Sequence, residues 1–215
     1  MIRSAVFALL LSAAALSGCS STREVLVDVP PRLDLKSYGT LGVIEFSSNY
    51  DAATNVRATR EFITRIHAAQ PGTRVLELGS REALLAGVGA RQLDADALRR
   101  IGAKAGADAL FVGDIVYSDP KTDIRINDLS RLDGGMRTEV RGDLSVRLVE
   151  AKSGASVWSG SSWARRQVNR VNVSASQGIS GSKSDADPRN EMVPDLVHYA
   201  TQDFRPTTVR QQVPK

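Results

Sequence analysis

Between Tyr38 and Val116 the hydrophobic pattern of this 215-residue chain keeps switching between short apolar runs and helical stripes, and that alternation restricts its fold more than any other feature. Leu41-Gly42-Val43-Ile44-Glu45-Phe46 is a brief apolar run bounded by polar residues, which predicts a buried strand. Ser47-Ser48-Asn49-Tyr50-Asp51 supplies helix-capping groups. Val56, Thr59, Ile63, Ile66 and Gln70 then follow along one helical face until Gln70-Pro71-Gly72 stops it. Arg74–Leu78 predicts a second strand, and Ser80 opens a short helix through Leu85. Asp94 caps a further helix with Ala97, Leu98, Ile101 and Ala105 inward, ended by Gly106. Ala109–Val116 is the third strand. Strand and helix alternating in this way predict an α/β fold, a three-layer-like sheet with helices packed on it.

The period then changes. From Arg141 to Val149, Leu144, Val146 and Leu148 fall on one side and Asp143, Ser145 and Arg147 on the other. Glu150–Gly154 turns, and Val157–Ser161 runs back, so an antiparallel hairpin with one wet face joins the sheet. Residues 174–190 are rich in Ser, Gly, Asp and Lys and read as a flexible loop. Met192–Phe204 reads as a closing helix with Pro194 in its first turn.

The chain opens Met1-Ile2-Arg3, followed by Ala5–Leu16 with only Ser12 polar, and then Leu16-Ser17-Gly18-Cys19. A positive charge, an apolar run and small residues make a signal peptide over 1–18. The run is about a dozen residues against the roughly 20 a membrane-crossing helix needs, so it directs export and is not a span. Leu16–Cys19 resembles the bacterial lipobox, in which the cysteine thiol receives a diacylglycerol. That resemblance implies cleavage before Cys19 and a lipidated, palmitate-bearing N-terminus. Ser20 in place of an aspartate points to an outer-membrane anchor facing the periplasm. Residues 19–37, with Val29-Pro30-Pro31, read as the lipidated end and a flexible tether. Residues 38–204 read as one α/β domain and 205–215 as a polar tail.

Composition removes several function classes. The chain is 42% apolar and 24% charged, as globular proteins are. Five Phe, four Tyr and two Trp are too few for a stacking surface for single-stranded nucleic acid. One cysteine leaves no disulfide framework, Cys-based zinc site or iron–sulfur cluster. A net charge of +4 spread as Arg beside Asp reads as a solvated surface and not as a nucleic-acid site, though it suits weak attraction to anionic polymers or headgroups.

Three segments carry a resemblance. They are Gly39–Phe46, the run Gly102-Ala103-Lys104-Ala105-Gly106-Ala107-Asp108-Ala109-Leu110-Phe111-Val112-Gly113-Asp114-Ile115, and the hairpin Leu144–Ser159 of the form L-x-V-x-x-V-x-A-x-S-G-x-x-x-W. Together they resemble the CsgG/TolB-N-like family of periplasmic α/β domains over about residues 38–204. The family includes a curli secretion pore and lipoprotein activators of peptidoglycan synthases. The resemblance implies a periplasmic lipoprotein whose members do different jobs. A pore subunit adds two amphipathic hairpins to a shared barrel, with strands of about 9–11 alternating residues. Between Ser118 and Glu139 charges crowd one face. Between Trp163 and Asp187, Arg165 is expected on the face of Val171, Val173 and Ala175, where a lipid-facing charge costs roughly 2–4 kcal/mol. A pore is therefore not expected.

No catalytic, metal or cofactor site is expected. His67 and His198 lack ligand neighbours at metal-binding spacing. Asp185 and Asp187 sit in a Ser/Gly loop with no calcium-loop pattern. Gly87-Val88-Gly89 lacks the context of a dinucleotide site, and Ser159-Gly160-Ser161 lies in a strand. Trp158 and Trp163 are five apart on one strand and so point to opposite faces; one belongs to the core and the other is a candidate partner contact. The expected function is a non-enzymatic, lipid-anchored envelope protein that binds protein partners as an assembly or accessory factor. A ring-forming homo-oligomeric subunit and a peptidoglycan-synthase activator are the alternatives.

Overall fold

Asp51, Ser80, Asp94 and Asp187 each aim a side-chain oxygen at an otherwise unpaired backbone N–H, and so fix where four helices begin. The accepted bonds come from Thr54 (2.6 Å), Ala83 (3.3 Å), Ala97 (2.8 Å) and Arg189 (3.0 Å). The helices are α1 (Ala52–Ala69), α2 (Arg81–Gly87), α3 (Ala95–Ala105) and α4 (Pro188–Ala200). Gly106, at φ +67°, turns the chain out of α3 in the left-handed conformation that glycine adopts without strain. The computed structural model describes residues 22–128, 133–174, 178–183 and 187–214. The signal segment 1–18, Cys19 and Asp185 lie outside the described residues.

The strands are β1 (Thr22–Val29), β2 (Thr40–Ile44), β3 (Ser47–Ser48), β4 (Arg74–Gly79), β5 (Ala109–Tyr117), β6 (Lys121–Asp128), β7 (Asp133–Glu150), β8 (Ser156–Ser174), β9 (Gly178–Lys183) and β10 (Thr207–Pro214). The chain divides into two compact units, one from its two ends and one from Pro31–Arg205. The larger unit holds a mixed sheet of eight strands ordered β4-β2-β5-β7-β8-β9, with β3 beside β5 and β6 beside β7. The pairs β4/β2 and β2/β5 are parallel, as strand–helix–strand crossovers require, and every pair from β5/β7 onward is antiparallel.

Helices cover both sides, which gives the three layers the sequence predicts. On one side α1 and α4 lay Ala58, Phe62, Ile66, Met192, Val193, Leu196 and Val197 on Leu41, Val43, Phe111, Ile115, Leu144, Val146 and Leu148. On the other, α3 packs Leu98 and Ile101 on Ile44, Leu110, Val112 and Val149, with Leu84 of α2 alongside. Phe62 anchors the first core, its ring centroid 5.0 Å from both Phe46 and Phe111 and 6.0 Å from Phe204. No helix among the described residues is long and apolar enough to cross a membrane.

Several expectations are corrected. Residues 22–29 and 207–214, read within a tether and a polar tail, form an antiparallel two-stranded ladder from Thr22 opposite Pro214 to Val29 opposite Thr207. Val25, Val27 and Val29 alternate with Leu26 and Asp28, a period-2 signal that the neighbouring prolines obscure. The hairpin is far longer than the sequence suggests, because β7 and β8 run to 18 and 19 residues. The loop expected over 174–190 contains β9, paired with β8 from Asn169/Lys183 to Ser174/Gly178. Pairing with a long neighbour overrides a Ser/Gly composition that gives no local strand signal. Helix α4 starts at Pro188, which puts Pro194 inside it and not in its first turn.

The outer half of the hairpin, with β6 and β9, makes a four-stranded extension ordered β6-β7-β8-β9. There the β7/β8 register shifts: Glu139 faces Gln167 but Thr138 faces Asn169, so Val168 is an extra residue. An added residue reverses which side the following side chains face. Arg165, opposite Arg141, therefore lies on the other side of the sheet from Val171, opposite Met136. The sequence expectation that Arg165 shares a face with Val171 fails for this reason.

Candidate functional site

On the side of the sheet that carries α2 and α3, α3 reaches β7 only at its end, at Val149, which leaves the rest of β7 and β8 there as an uncovered face among the described residues. Alternation along β5, β7 and β8 lays it out in rows: Val116–Asp143–Trp163, then Asp114–Ser145–Ser161, then Val112–Arg147–Ser159. The row above pairs Arg141 with Arg165. Ser145, Arg147, Ser159 and Ser161 are exposed, and Val116 and Trp163 keep 58% and 57% of their surface open. These large apolar groups stand open beside Arg141 and Arg165.

The two tryptophans separate cleanly. Trp158 is half-buried on the helix-covered side, with its ring 4.9 Å from that of Phe204 and its indole N–H donating to Asp203 Oδ2 at 3.2 Å. It packs against the core. Trp163 faces out, with the Arg141 and Arg165 guanidinium carbons 5.1 and 5.4 Å from its ring centroid. Two cations on one indole hold the ring in place without covering it.

Charge on this side is unevenly answered. Arg141 donates through Nε to Asp143 Oδ2 at 2.9 Å, a bond that raises the guanidinium pKa further. Arg81 meets Asp114 at 2.7 Å, Arg125 meets Asp123 at 3.2 Å, and Arg137 pairs with Glu139. Above Trp163 a recess of about 250 Å³ is lined by Ser118, Lys121, Glu139, Val140, Arg141 and Arg165. Sequence reasoning separated the two tryptophans by strand parity but did not say which of them faces out. It missed Lys121, Arg141 and Arg165, which strand register alone assembles.

A second cluster sits where α4 meets its following turn. Arg205 Nη1 lies 3.3 Å from both ring nitrogens of His198, and Arg65 Nη1 lies 3.5 Å from Nδ1. Burial first, then Arg205 and Arg65, push the imidazole below its ordinary 6.5, while Asp195 pulls it back. The unfolded chain therefore takes up this proton first as pH falls. The contribution of His198 to stability is complete above pH 6.5 and is lost as pH drops through the depressed folded value. Urea midpoints compared at pH 7.5 and pH 5.5 should show this loss, and His198→Gln should flatten it. Neither histidine joins a metal cluster: among the described residues no group of three or more His, Cys, Asp or Glu could hold an ion. Asp187 caps α4.

No protein-family model matches the chain, and no curated protein sequence matches it. Among solved structures it is similar to the PelC dodecamer of Paraburkholderia phytofirmans, at 12% identity over 86% of this chain and 98% of that one, TM-score 0.38. It is similar to lipoprotein GNA1162 of Neisseria meningitidis, at 17% identity over 60% and 83%, TM-score 0.35. It is also similar to the LpoB C-terminal domain of Escherichia coli, at 13% identity over 59% and 82%, TM-score 0.35. These likenesses assign no partner and no activity to this chain.

Proposed function

We propose that this chain is a non-enzymatic lipoprotein, held at the periplasmic face of a bacterial outer membrane by acyl chains on Cys19. It acts there as an assembly or accessory factor by binding envelope proteins through the Trp163 side of its sheet. The uncovered side is the observation that carries the reading: an exposed tryptophan clamped by two arginines on a rigid ladder is pre-organised for contact. The lipobox-like Leu16–Cys19 supports the anchor. Acyl chains contribute about 0.8 kcal/mol per buried methylene, so two or more of them anchor a protein stably to a bilayer where one would not.

Two measurements test this. Cys19→Ser should move the protein from the membrane to the soluble fraction and abolish palmitate incorporation; unchanged sedimentation with membranes would remove the anchor. A photo-crosslinker at Ser161 should capture protein in cells, and its loss on Trp163→Ala would tie the contact to the indole.

A ring-forming subunit is the second reading, favoured by one observation. The extension's outer strands, β6 and β9, each pair on a single side among the described residues, which leaves two open edges for neighbouring copies. The Val168 register shift also removes the Arg165 objection to a barrel. The mass of the detergent-solubilised protein decides it: a closed oligomer supports the ring and a monomer excludes it.

A further inference from the structure

We infer that the Trp163 side takes an extended acidic segment of a partner protein, with one carboxylate in the Lys121/Arg165 recess and a second at Arg147. This rests on the contact-face reading above and adds the chemistry of the partner. The first ground is charge. Asp143, Glu139, Asp114 and Asp123 are each paired with an arginine on the same side of the sheet. Lys121, Arg147 and Arg165 make no ion pair among the described residues: Glu139, which stands opposite Lys121 and lines the recess, is taken by Arg137, and Asp119, in the turn before β6, does not line it. Asp143, Glu139, Asp114 and Asp123 are therefore occupied, and the charge left over among the described side chains is cationic.

The second ground is placement. Arg141 and Arg165 stand directly opposite each other in the ladder, an arrangement that costs stability when nothing neutralises it. Asp143 answers Arg141 alone. An incoming carboxylate at the recess reaches Arg165 and Lys121 together and relieves that repulsion in the bound state only. Such charge-assisted bonds are stronger than neutral ones.

The third ground is spacing. Trp163 lies two residues along β8 from Arg165, and Ser159, opposite Arg147, lies four further on. At about 3.3 Å per residue these rows are about 7 and 13 Å apart. An extended segment running alongside meets them with residues i, i+2 and i+6, which share one face. The matching pattern is acidic, apolar, acidic. A bilayer fits less well, because the exposed groups between the Trp163 and Arg147 rows are Ser145 and Ser161, which have nothing to place in hydrocarbon.

The test uses the detergent-solubilised full chain and a labelled nonapeptide carrying Glu at positions 1 and 7, Leu at 3 and Ser or Ala elsewhere, beside its Gln counterpart. The Glu peptide should bind at least about tenfold more tightly than the Gln peptide, with a gap that closes at high salt. Arg165→Glu and Lys121→Glu should each weaken it about tenfold, and Arg165→Gln should fall between, all with unchanged far-ultraviolet circular dichroism. Equal binding of the two peptides, no binding of either, or indifference to Arg165→Glu overturns the inference. Capture of phosphatidylglycerol vesicles by the Cys19→Ser chain without Glu-peptide binding also overturns it. The Ser161 crosslink separates the two levels. A protein adduct that Arg165→Glu leaves unchanged keeps the contact face and removes the acidic chemistry, whereas no adduct removes both.

Discussion

Gln70→Leu is expected to lower the stability of the folded chain by about 3–6 kcal/mol, a large share of the 5–15 kcal/mol that holds a typical domain. Gln70 ends α1 as a buried amide with every strong partner supplied by the backbone. Its Oε1 accepts from Leu35 N–H at 2.8 Å, and its Nε2 donates to the carbonyls of Leu33 at 2.6 Å and Phe204 at 3.0 Å. One side chain thereby ties the first and last segments of the Pro31–Arg205 unit to the same helix end. Leucine fills comparable space but strands one donor and two acceptors away from water, each at about 1–3 kcal/mol. Gln70→Glu keeps the acceptor and turns a carboxylate on two carbonyls, so it should also destabilise. Urea unfolding followed by circular dichroism reads both variants. A loss under about 1 kcal/mol for leucine would show that water reaches these groups and that the amide is dispensable.

Phe62→Ala is expected to cost about 3–5 kcal/mol, the range for deleting a buried aromatic ring. Phe62 is fully buried, and its neighbours Phe46, Phe111 and Phe204 come from β2's end, from β5 and from the turn after α4. Those elements cannot close on the vacated space together, because β5 is fixed by ladders on both sides. Thermal or urea unfolding gives the number. Phe62→Leu, which leaves a smaller void, should lose less.

The body of the fold was legible because its signals are local. Asp51, Ser80, Asp94 and Gly106 mark helix ends through their own side chains or backbone freedom, and Ala109–Val116 could only be a buried strand. What was not legible depends on pairing between distant segments. β9 has no strand composition and exists because β8 offers an edge. β1 carries its alternation beside Pro30 and Pro31, which read as a tether, and β10 is too polar to predict alone. The extra residue at Val168 has no signature in Gln167-Val168-Asn169, yet it reverses the side on which every later side chain of β8 falls. The candidate site divides in the same way. Parity alone set Trp163 against Trp158, while Lys121 and Arg141 reach the indole's neighbourhood only through the β6/β7/β8 register. Gln70, read as the last position of a helical stripe, gave no hint that it joins the two ends of a unit.

The two longest strands pass from the packed body into the four-stranded extension with no intervening turn. A grip on the outer strands is thus transmitted as shear along the same hydrogen bonds that hold β5. Capping the open edges of β6 and β9 should consequently slow deuterium uptake at Leu110–Ile115, residues that the capping partner never touches, and the extension would act as a lever on the body's innermost strand.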